Sequence, residues 1–117
     1  MKSVVIPALR ITDYDQAKSF YIDGLGFTIE FEHRFEPHFP VFMGLKQDEL
    51  QLYLSEHEGD CQPGALVYMY VADVDSFYNR LTSAGFTPPK PEDQPWGQRE
   101  MKAKDPFGNT VCVCHRK

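Results

Sequence analysis

The chain has 117 residues, of which 42% are hydrophobic and 14% aromatic, so we expect one compact domain. Its 17 acidic and 12 basic residues give a net charge of −5, which argues against a nucleic-acid binder with a basic surface stripe. No apolar run is long enough for a transmembrane helix and no signal-like core precedes a cleavage site, so we expect a cytoplasmic protein.

The first half of the chain begins with a strand predicted at residues 4–11. Pro7 restricts this strand to a sheet edge or a bulge, because proline has no N–H to donate to a neighbouring strand. Thr12 or Asp13 can cap the helix that follows, whose apolar residues recur at helical spacing up to Ile22. Further strands are predicted at residues 28–33, 41–45 and 49–54. The last two of these form a hairpin.

The second half repeats this order of elements after the polar segment 55–64, which is the predicted linker. Asp73 caps a predicted helix that ends at Gly85, and the proline-rich residues 87–95 are predicted to be irregular. The strands predicted in this half lie at residues 65–71, 98–104 and 110–114. The last two strands are joined by the sequence DPFGN, whose residue types are typical of tight turns.

The two halves are therefore predicted to be copies of one module. The tetrapeptides LGFT, at residues 25–28, and AGFT, at residues 84–87, fall at the same place in each half. Internal similarity of this kind indicates the duplication of a supersecondary unit. We expect a single domain at residues 1–117, with module one at about 1–58 and module two at about 64–117.

The cysteines are Cys61, Cys112 and Cys114, an odd number without CxxC spacing. Cys112 and Cys114 share one face of a predicted strand and are not placed to close an ordinary disulfide with each other. A thiolate metal site would need further ligands near them. We therefore expect free cysteines in a reducing compartment.

Two segments of the chain resemble a known family. IPALRITDYDQAKSFYIDGLGF at residues 6–27 and PWGQREMKAKDPFGNTVCV at residues 95–113 look like the opening and closing signatures of the vicinal oxygen chelate superfamily. This superfamily includes glyoxalases, bleomycin resistance proteins and extradiol dioxygenases, and the chain is most similar to the bleomycin resistance branch. The resemblance implies an α+β fold of two βαβββ modules that form a cup-shaped, barrel-like mixed sheet, and a homodimer.

The resemblance also implies where a metal would bind. The metal enzymes of the superfamily have ligands in the first strand, in the first strand of module two and in the last strand. At those positions this chain has Ile6, Leu66 and Cys112, and a further ligand position is Gln51. Isoleucine and leucine have no lone pair for a cation, so the resemblance implies neither a metal nor another cofactor.

No group of residues predicts catalysis, and we expect no catalytic residue. The histidines have no metal-binding spacing, and we interpret them as surface or hydrogen-bonded side chains. They are His33, His38, His57 and His115. A second hypothesis stays open, namely a divergent metal-dependent lyase, isomerase or dioxygenase that uses His33, Gln51 or Cys112.

Aromatic side chains are the main candidates for ligand binding. Trp96 lies in a predicted loop of glycine and proline, and it matches the tryptophan of a PWG-type motif in the resistance proteins. A planar ligand that stacks on such a ring gains about 0.5–1.5 kcal/mol beyond the burial of its area. Phe39 is the favoured facing ring, and Phe35 and Phe42 are the alternatives.

Four further candidates occupy strand faces opposite the aliphatic residues. They are Gln51, Tyr53, Tyr68 and Cys112. If the aliphatic faces pack under the helices, these four side chains line the concave cup. The alternative is that the tyrosines fill the core or a dimer interface.

The chain is therefore predicted to bind a small planar or cationic organic molecule without transforming it. A bleomycin resistance protein acts in this way when it sequesters the antibiotic. The acidic net charge favours a cationic ligand, although acidic loops are commonly just solvated. A physiological ligand unrelated to drugs is a third hypothesis, and neither nucleic acid nor a membrane is expected as a partner.

Overall fold

The computed structural model describes residues 2–117, which form two four-stranded sheets and helices. The strands of the first sheet are β1 (Ala8–Arg10), β2 (Thr28–His33), β3 (Phe42–Gln47) and β4 (Leu50–Ser55). The strands of the second sheet are β5 (Leu66–Tyr70), β6 (Glu92–Gln94), β7 (Gln98–Lys104) and β8 (Thr110–Arg116). The helices are α1 (Tyr14–Lys18), which continues as a π-helical segment (Ser19–Gly24), and α2 (Val74–Ser83).

Both sheets have the same topology. Their strand orders are β1-β4-β3-β2 and β5-β8-β7-β6. In each sheet, the strand that comes first in the chain pairs in parallel with the strand that comes last, β1 with β4 and β5 with β8. All other neighbouring strands are antiparallel. The predicted α+β fold of two βαβββ modules is therefore confirmed. Both mixed sheets remain open, so they form a cup and not a closed barrel.

The alternation of side chains along each strand decides which side of the sheet is buried. Leu52 and Leu54 on β4 are buried, whereas Tyr53 between them is only partly buried. On β5, Met69 is buried and the neighbouring Tyr68 is exposed. Burial of one such aliphatic side chain contributes about 1.5–3 kcal/mol. The aliphatic sides of both sheets consequently form one core with the helices, as the strand patterns predict.

Aspartate residues cap both helices. Oδ1 of Asp13 accepts a hydrogen bond from the backbone N–H of Gln16 at 2.9 Å, and Oδ1 of Asp73 accepts one from Asp75 at 3.1 Å. These caps satisfy N–H groups that the first helical turn leaves unpaired. Of the two predicted caps of the first helix, the structure thus uses Asp13. None of the described helices is long and apolar enough to span a membrane.

The first strand is shorter than the sequence predicts. The prediction covers residues 4–11, whereas β1 comprises Ala8–Arg10 at the edge of its sheet. Pro7 contributes only its carbonyl oxygen, which accepts a hydrogen bond from the N–H of Tyr53 at 2.9 Å. Because proline cannot donate in return, regular pairing begins after it, and Val5 before it is exposed.

The prediction of an irregular segment at residues 87–95 is partly wrong, because this segment contains β6. Glu92–Gln94 pairs antiparallel with β7 at the edge of the second sheet. Pro91 and Pro95 flank this short strand and leave its three residues free to pair. An edge strand of this length is compatible with prolines on either side.

The register of the second sheet places three side chains that bear polar or thiol groups in one row. Tyr70, Cys114 and Glu100 are neighbours on β5, β8 and β7. The next residue along β8, His115, points to the opposite side, where its Nδ1 accepts a hydrogen bond from the N–H of Val74 at 2.9 Å. Since Val74 begins α2, the row lies on the side of the sheet that faces away from the helix.

Candidate functional site

A buried carboxyl group lies on the side of the second sheet that faces away from α2. Glu100 is 7% exposed, and its Oε2 accepts hydrogen bonds from Nε2 of Gln98 at 2.6 Å and from Nε1 of Trp96 at 3.2 Å. The hydroxyl group of Tyr70 donates to Oε1 of Gln98 at 3.1 Å. The guanidinium of Arg116 in turn lies 4.5 Å from the centre of the Tyr70 ring. Trp96 and Gln98 thereby hold the Glu100 carboxylate in one orientation.

Two buried thiols lie next to this carboxylate. The Sγ atoms of Cys112 and Cys114 are 3.6 Å apart, and Sγ of Cys112 is 3.8 Å from Oε1 of Glu100. Burial and then the hydrogen bond with Cys114 raise the pKa of the Cys112 thiol to about 12, and burial also raises the pKa of Cys114. Both groups are therefore protonated, weakly nucleophilic thiols at neutral pH. We call Glu100, Cys112 and Cys114 the thiol–carboxylate cluster.

The first sheet carries an aromatic cluster formed by Phe31, Phe42 and Tyr53. The rings of Phe31 and Phe42 are stacked, with centroids 6.2 Å apart and an interplanar angle of 24°. The ring of Tyr53 lies 5.8 Å from that of Phe31 and 5.1 Å from that of Phe42. Gly44 is paired with Phe31 across the sheet, and a methyl group at Gly44 would collide with the Phe31 ring. The missing side chain thus allows the ring to lie against the backbone of β3.

A cavity of about 470 Å³ adjoins the aromatic cluster. Its lining residues are Phe31, His33, Phe35, Phe42, His57 and Asp60. Phe31 is 41% exposed and Phe35 is 71% exposed, so these rings present apolar surface to a ligand. Asp60 contributes a carboxylate that accepts a hydrogen bond from the hydroxyl of Ser55 at 2.7 Å. This cavity is broad and open, so it has room for a small organic molecule that would stay partly exposed to solvent.

The six predicted ligand-binding residues are divided among several parts of the surface. Trp96 and Cys112 lie on either side of the same carboxylate on the second sheet. Gln51 and Tyr68 line a cleft of about 190 Å³ between β4 and β5. Tyr53 belongs to the aromatic cluster on the first sheet. The structure thus brings four of these residues together in two pairs, leaves Tyr53 and Phe39 apart from them, and does not bring all six into one cavity.

Phe39, the remaining predicted residue, lies in surroundings with basic groups. It lines a cavity of about 270 Å³ to which Arg10 and Arg34 also contribute. Nη1 of Arg34 donates to the carbonyl oxygen of Phe39 at 2.7 Å and lies 3.7 Å from Oε1 of Glu56. Two guanidinium groups disfavour a cationic ligand there. Of the three phenylalanines considered from the sequence, Phe35 and Phe42 line the larger cavity instead.

Sequence reasoning missed Phe31, Glu100 and Cys114 as site residues. Glu100 belongs to the PWGQRE segment, and the sequence pattern of Cys114 indicates only that it shares a strand face with Cys112. Phe31 lies in a predicted strand with alternating residue types. This alternation indicates the face of the strand on which Phe31 lies, but not which rings it contacts. The contacts of these three side chains depend on strand register, which the pattern of a single strand does not reveal.

The metal site of the superfamily enzymes does not fit this chain. Ile6 and Leu66 offer no donor atom, and Leu66 is 55% exposed. Gln51 lines the cleft between β4 and β5, whereas Cys112 is buried within the thiol–carboxylate cluster. The residues at the superfamily's ligand positions therefore do not supply the ligand set of that metal. No reaction step is derived from such a metal.

Comparison with known proteins is consistent with this fold. One solved structure, a bleomycin-binding protein complexed with bleomycin, is 24% identical with a TM-score of 0.78, covering 99% of this chain and 100% of that chain. A member of the glyoxalase/bleomycin resistance protein/dioxygenase superfamily from Sphaerobacter thermophilus is 27% identical with a TM-score of 0.75, covering 98% of each chain. A related domain from Frankia sp. is 19% identical with a TM-score of 0.79, covering 100% of this chain and 93% of that chain. No curated protein matches the chain in sequence.

The family itself follows from the sequence match. Residues 2–117 match the family model described as Glyoxalase superfamily protein. That match spans both βαβββ modules, from the segment before β1 to the end of β8. The chain therefore belongs to the glyoxalase superfamily, and its fold is that of the superfamily members that include a bleomycin-binding protein.

Proposed function

We propose that this protein binds a small, planar, cationic organic molecule and holds it without transforming it. The observation that carries this proposal is the exposed aromatic cluster beside a cavity of about 470 Å³. The stacked rings of Phe31 and Phe42 form a preorganised surface for a planar group. Asp60 supplies a negative charge at the same cavity, and the net charge of −5 attracts cations over a longer range.

The absence of a chemical step is part of this proposal. It rests on Ile6 and Leu66, which replace donor residues at positions where the superfamily enzymes hold a metal. It also rests on the cavity lining, in which Asp60 is already hydrogen bonded to Ser55. Because His33 and His57 also line the cavity, retention of the ligand rather than turnover rests mainly on the missing metal donors.

A bleomycin-like glycopeptide antibiotic is the ligand that we propose first. Such a molecule combines planar rings with cationic groups, which suits aromatic rings beside a carboxylate. The fold neighbour that carries bleomycin supports this choice at the level of the fold. Sequestration of the antibiotic would then protect the cell, and the free thiols support a reducing cytoplasm as the compartment.

We also propose that the protein forms a homodimer. Leu66 and Tyr68 on β5 are 55% and 50% exposed, and Val4 and Val5 line the adjoining cleft between the sheets. Contiguous apolar surface of this kind is typical of protein interfaces. Pairing of two chains would also bring further sheet faces next to each cavity.

Titration calorimetry with metal-free bleomycin tests the ligand assignment. We expect saturable binding, recovery of unchanged bleomycin, and a loss of about 2 kcal/mol or more in Phe31→Ala. Phe39→Ala is the matched control, because Phe39 lines a separate cavity and should retain the affinity. Absence of binding would rule out the antibiotic, and a loss in Phe39→Ala alone would place the site in the other cavity.

A further inference from the structure

We infer that the thiol–carboxylate cluster, Glu100, Cys112 and Cys114, is a binding site for a thiophilic divalent cation, with zinc as the best fit. The three donor atoms lie within 4.8 Å of one another, and all three residues are buried. This site goes beyond the proposed binding of an organic molecule and does not depend on it. The cavity beside the aromatic cluster is on the first sheet, whereas this cluster is on the second.

The spacing of the sulfur atoms matches that of two ligands on one zinc ion. Zinc–sulfur bonds of about 2.3 Å at a tetrahedral angle place two sulfurs about 3.8 Å apart. The Sγ atoms of Cys112 and Cys114 are 3.6 Å apart, because the two residues are adjacent on one face of β8. The two sulfurs therefore already lie at the spacing of zinc ligands, and the three donor atoms, which lie within 4.8 Å of one another, would have to draw closer around the ion.

The carboxylate supplies a third donor in a suitable place. A tetrahedral zinc with one sulfur and one oxygen ligand holds them about 3.5 Å apart, given bonds of about 2.3 and 2.0 Å. Oε1 of Glu100 lies 3.8 Å from Sγ of Cys112. Two thiolates and one carboxylate favour zinc or a softer cation over magnesium or calcium, which prefer oxygen ligands. Three protein ligands leave the fourth position for water or another small ligand.

The groups around the cluster orient the carboxylate for this role. Both donors to Glu100, from Trp96 and from Gln98, bind Oε2 and leave Oε1 directed at Cys112. In metal sites, such outer hydrogen bonds fix the ligand orientation and raise the affinity. Tyr70 extends the network by donating to Gln98. The arrangement therefore has the supporting contacts of a built site.

The lack of a basic partner at Glu100 gives a second reason to expect a cation. In the described chain, no lysine, arginine or histidine forms an ion pair with Glu100, although its side chain is only 7% exposed. The hydrogen bonds from Trp96 and Gln98 stabilise this buried carboxyl group in part, and a cation bound at its other oxygen would stabilise it further. On binding, each thiol loses its proton to the solvent and the sulfur bonds the ion.

Cobalt(II) is a spectroscopic probe for this site, because thiolate coordination gives a sulfur-to-cobalt charge-transfer absorption. Protein stripped with a chelator should bind one equivalent of Co²⁺ with that absorption, and one equivalent of Zn²⁺ should displace it. Cys112→Ser and Cys114→Ser should each lose the absorption. Cys61→Ser is the matched control, because Cys61 lies outside the cluster, and this variant should retain both properties.

Competition with a chromogenic zinc chelator measures the contribution of the outer hydrogen bonds. We expect Gln98→Ala to weaken Zn²⁺ binding by about 10–100-fold, with Glu100→Gln also weakening it. Circular dichroism of each variant shows whether it is folded. The inference is wrong if folded wild-type protein binds no stoichiometric Co²⁺ or gives no charge-transfer absorption. It is also wrong if the absorption persists in the double variant Cys112→Ser/Cys114→Ser.

Discussion

The hydroxyl group of Tyr21 donates a hydrogen bond of 2.6 Å to Oδ2 of Asp105, although the two residues are 84 positions apart. Tyr21 lies in the π-helical segment of the first module, and Asp105 begins the turn between β7 and β8 of the second. Oδ1 of Asp105 also accepts hydrogen bonds from the N–H groups of Phe107 and Asn109. One carboxylate thus shapes the DPFGN turn and ties it to the other module.

Removal of the Tyr21 hydroxyl should destabilise the protein. In Tyr21→Phe, Asp105 loses a partner in a buried position, which costs about 1.5–3 kcal/mol for a hydrogen bond to a charged group. Urea denaturation measures this loss. Tyr14→Phe is the control, since its hydroxyl donates to Glu32 at 2.8 Å in an exposed position and should matter much less. Equal losses in the two variants would contradict the assigned role of Tyr21.

The same pair predicts a dependence of stability on alkaline pH. Burial, and next the negative charge of Asp105, raise the pKa of Tyr21 far above its usual value. The unfolded chain therefore loses this proton above pH about 10 while the folded chain keeps it, so the free energy of unfolding falls as the pH rises. Between about pH 9 and about pH 11, Tyr21→Phe should lose less stability than the wild type. Urea denaturation at both pH values measures the free energy of unfolding of each protein. An equal decrease from the lower to the higher pH in the two proteins would disprove the prediction.

Gly44→Ala should displace the ring of Phe31. The added methyl group would overlap that ring, and overpacking of this kind costs about 1–3 kcal/mol. Gly59→Ala is the control, because nothing lies within 4 Å of a methyl group at that position. Thermal unfolding measures the stability of both variants, and titration with bleomycin measures their affinity. A Gly44→Ala variant as stable as Gly59→Ala would show that the ring does not depend on this contact.

Trp96→Ala separates a binding role from a structural role. Trp96 is 65% exposed and stabilises the fold mainly through its hydrogen bond to Glu100, so its removal should lower the melting temperature by only a few degrees. If the indole stacks on a planar ligand, the affinity for bleomycin should fall by about 2 kcal/mol or more. Calorimetric titration and thermal unfolding of the same variant measure both effects. A loss of stability without a loss of affinity would refute the stacking hypothesis for Trp96.

The association state is a separate prediction. We expect sedimentation velocity to give the mass of a dimer, because apolar surface at Leu66 and Tyr68 is exposed in the single chain. Leu66→Asp should shift the population towards the monomer, since a carboxylate in an apolar interface is costly. A wild-type protein that remains a monomer at high concentration would contradict the prediction.

The order of elements could be predicted from sequence because each element carries a local pattern. Asp73 caps α2, and Leu52 and Leu54 alternate with Tyr53, so short stretches of chain determine the helix start and the buried face of the strand. The errors occurred where prolines mark a boundary. Pro7 delayed the start of β1, and the prolines around β6 concealed a strand that needs only an edge partner.

The sequence by itself determined the repeated βαβββ modules and the lack of donor atoms at Ile6 and Leu66. Only the tertiary structure decided that Glu100 lies beside Cys112, and that Phe31 lies over Gly44. Residue alternation assigns a side chain to a face, but its neighbours on that face come from other strands. Those neighbours depend on the register between strands, which is set by packing of the whole sheet and not by any one segment.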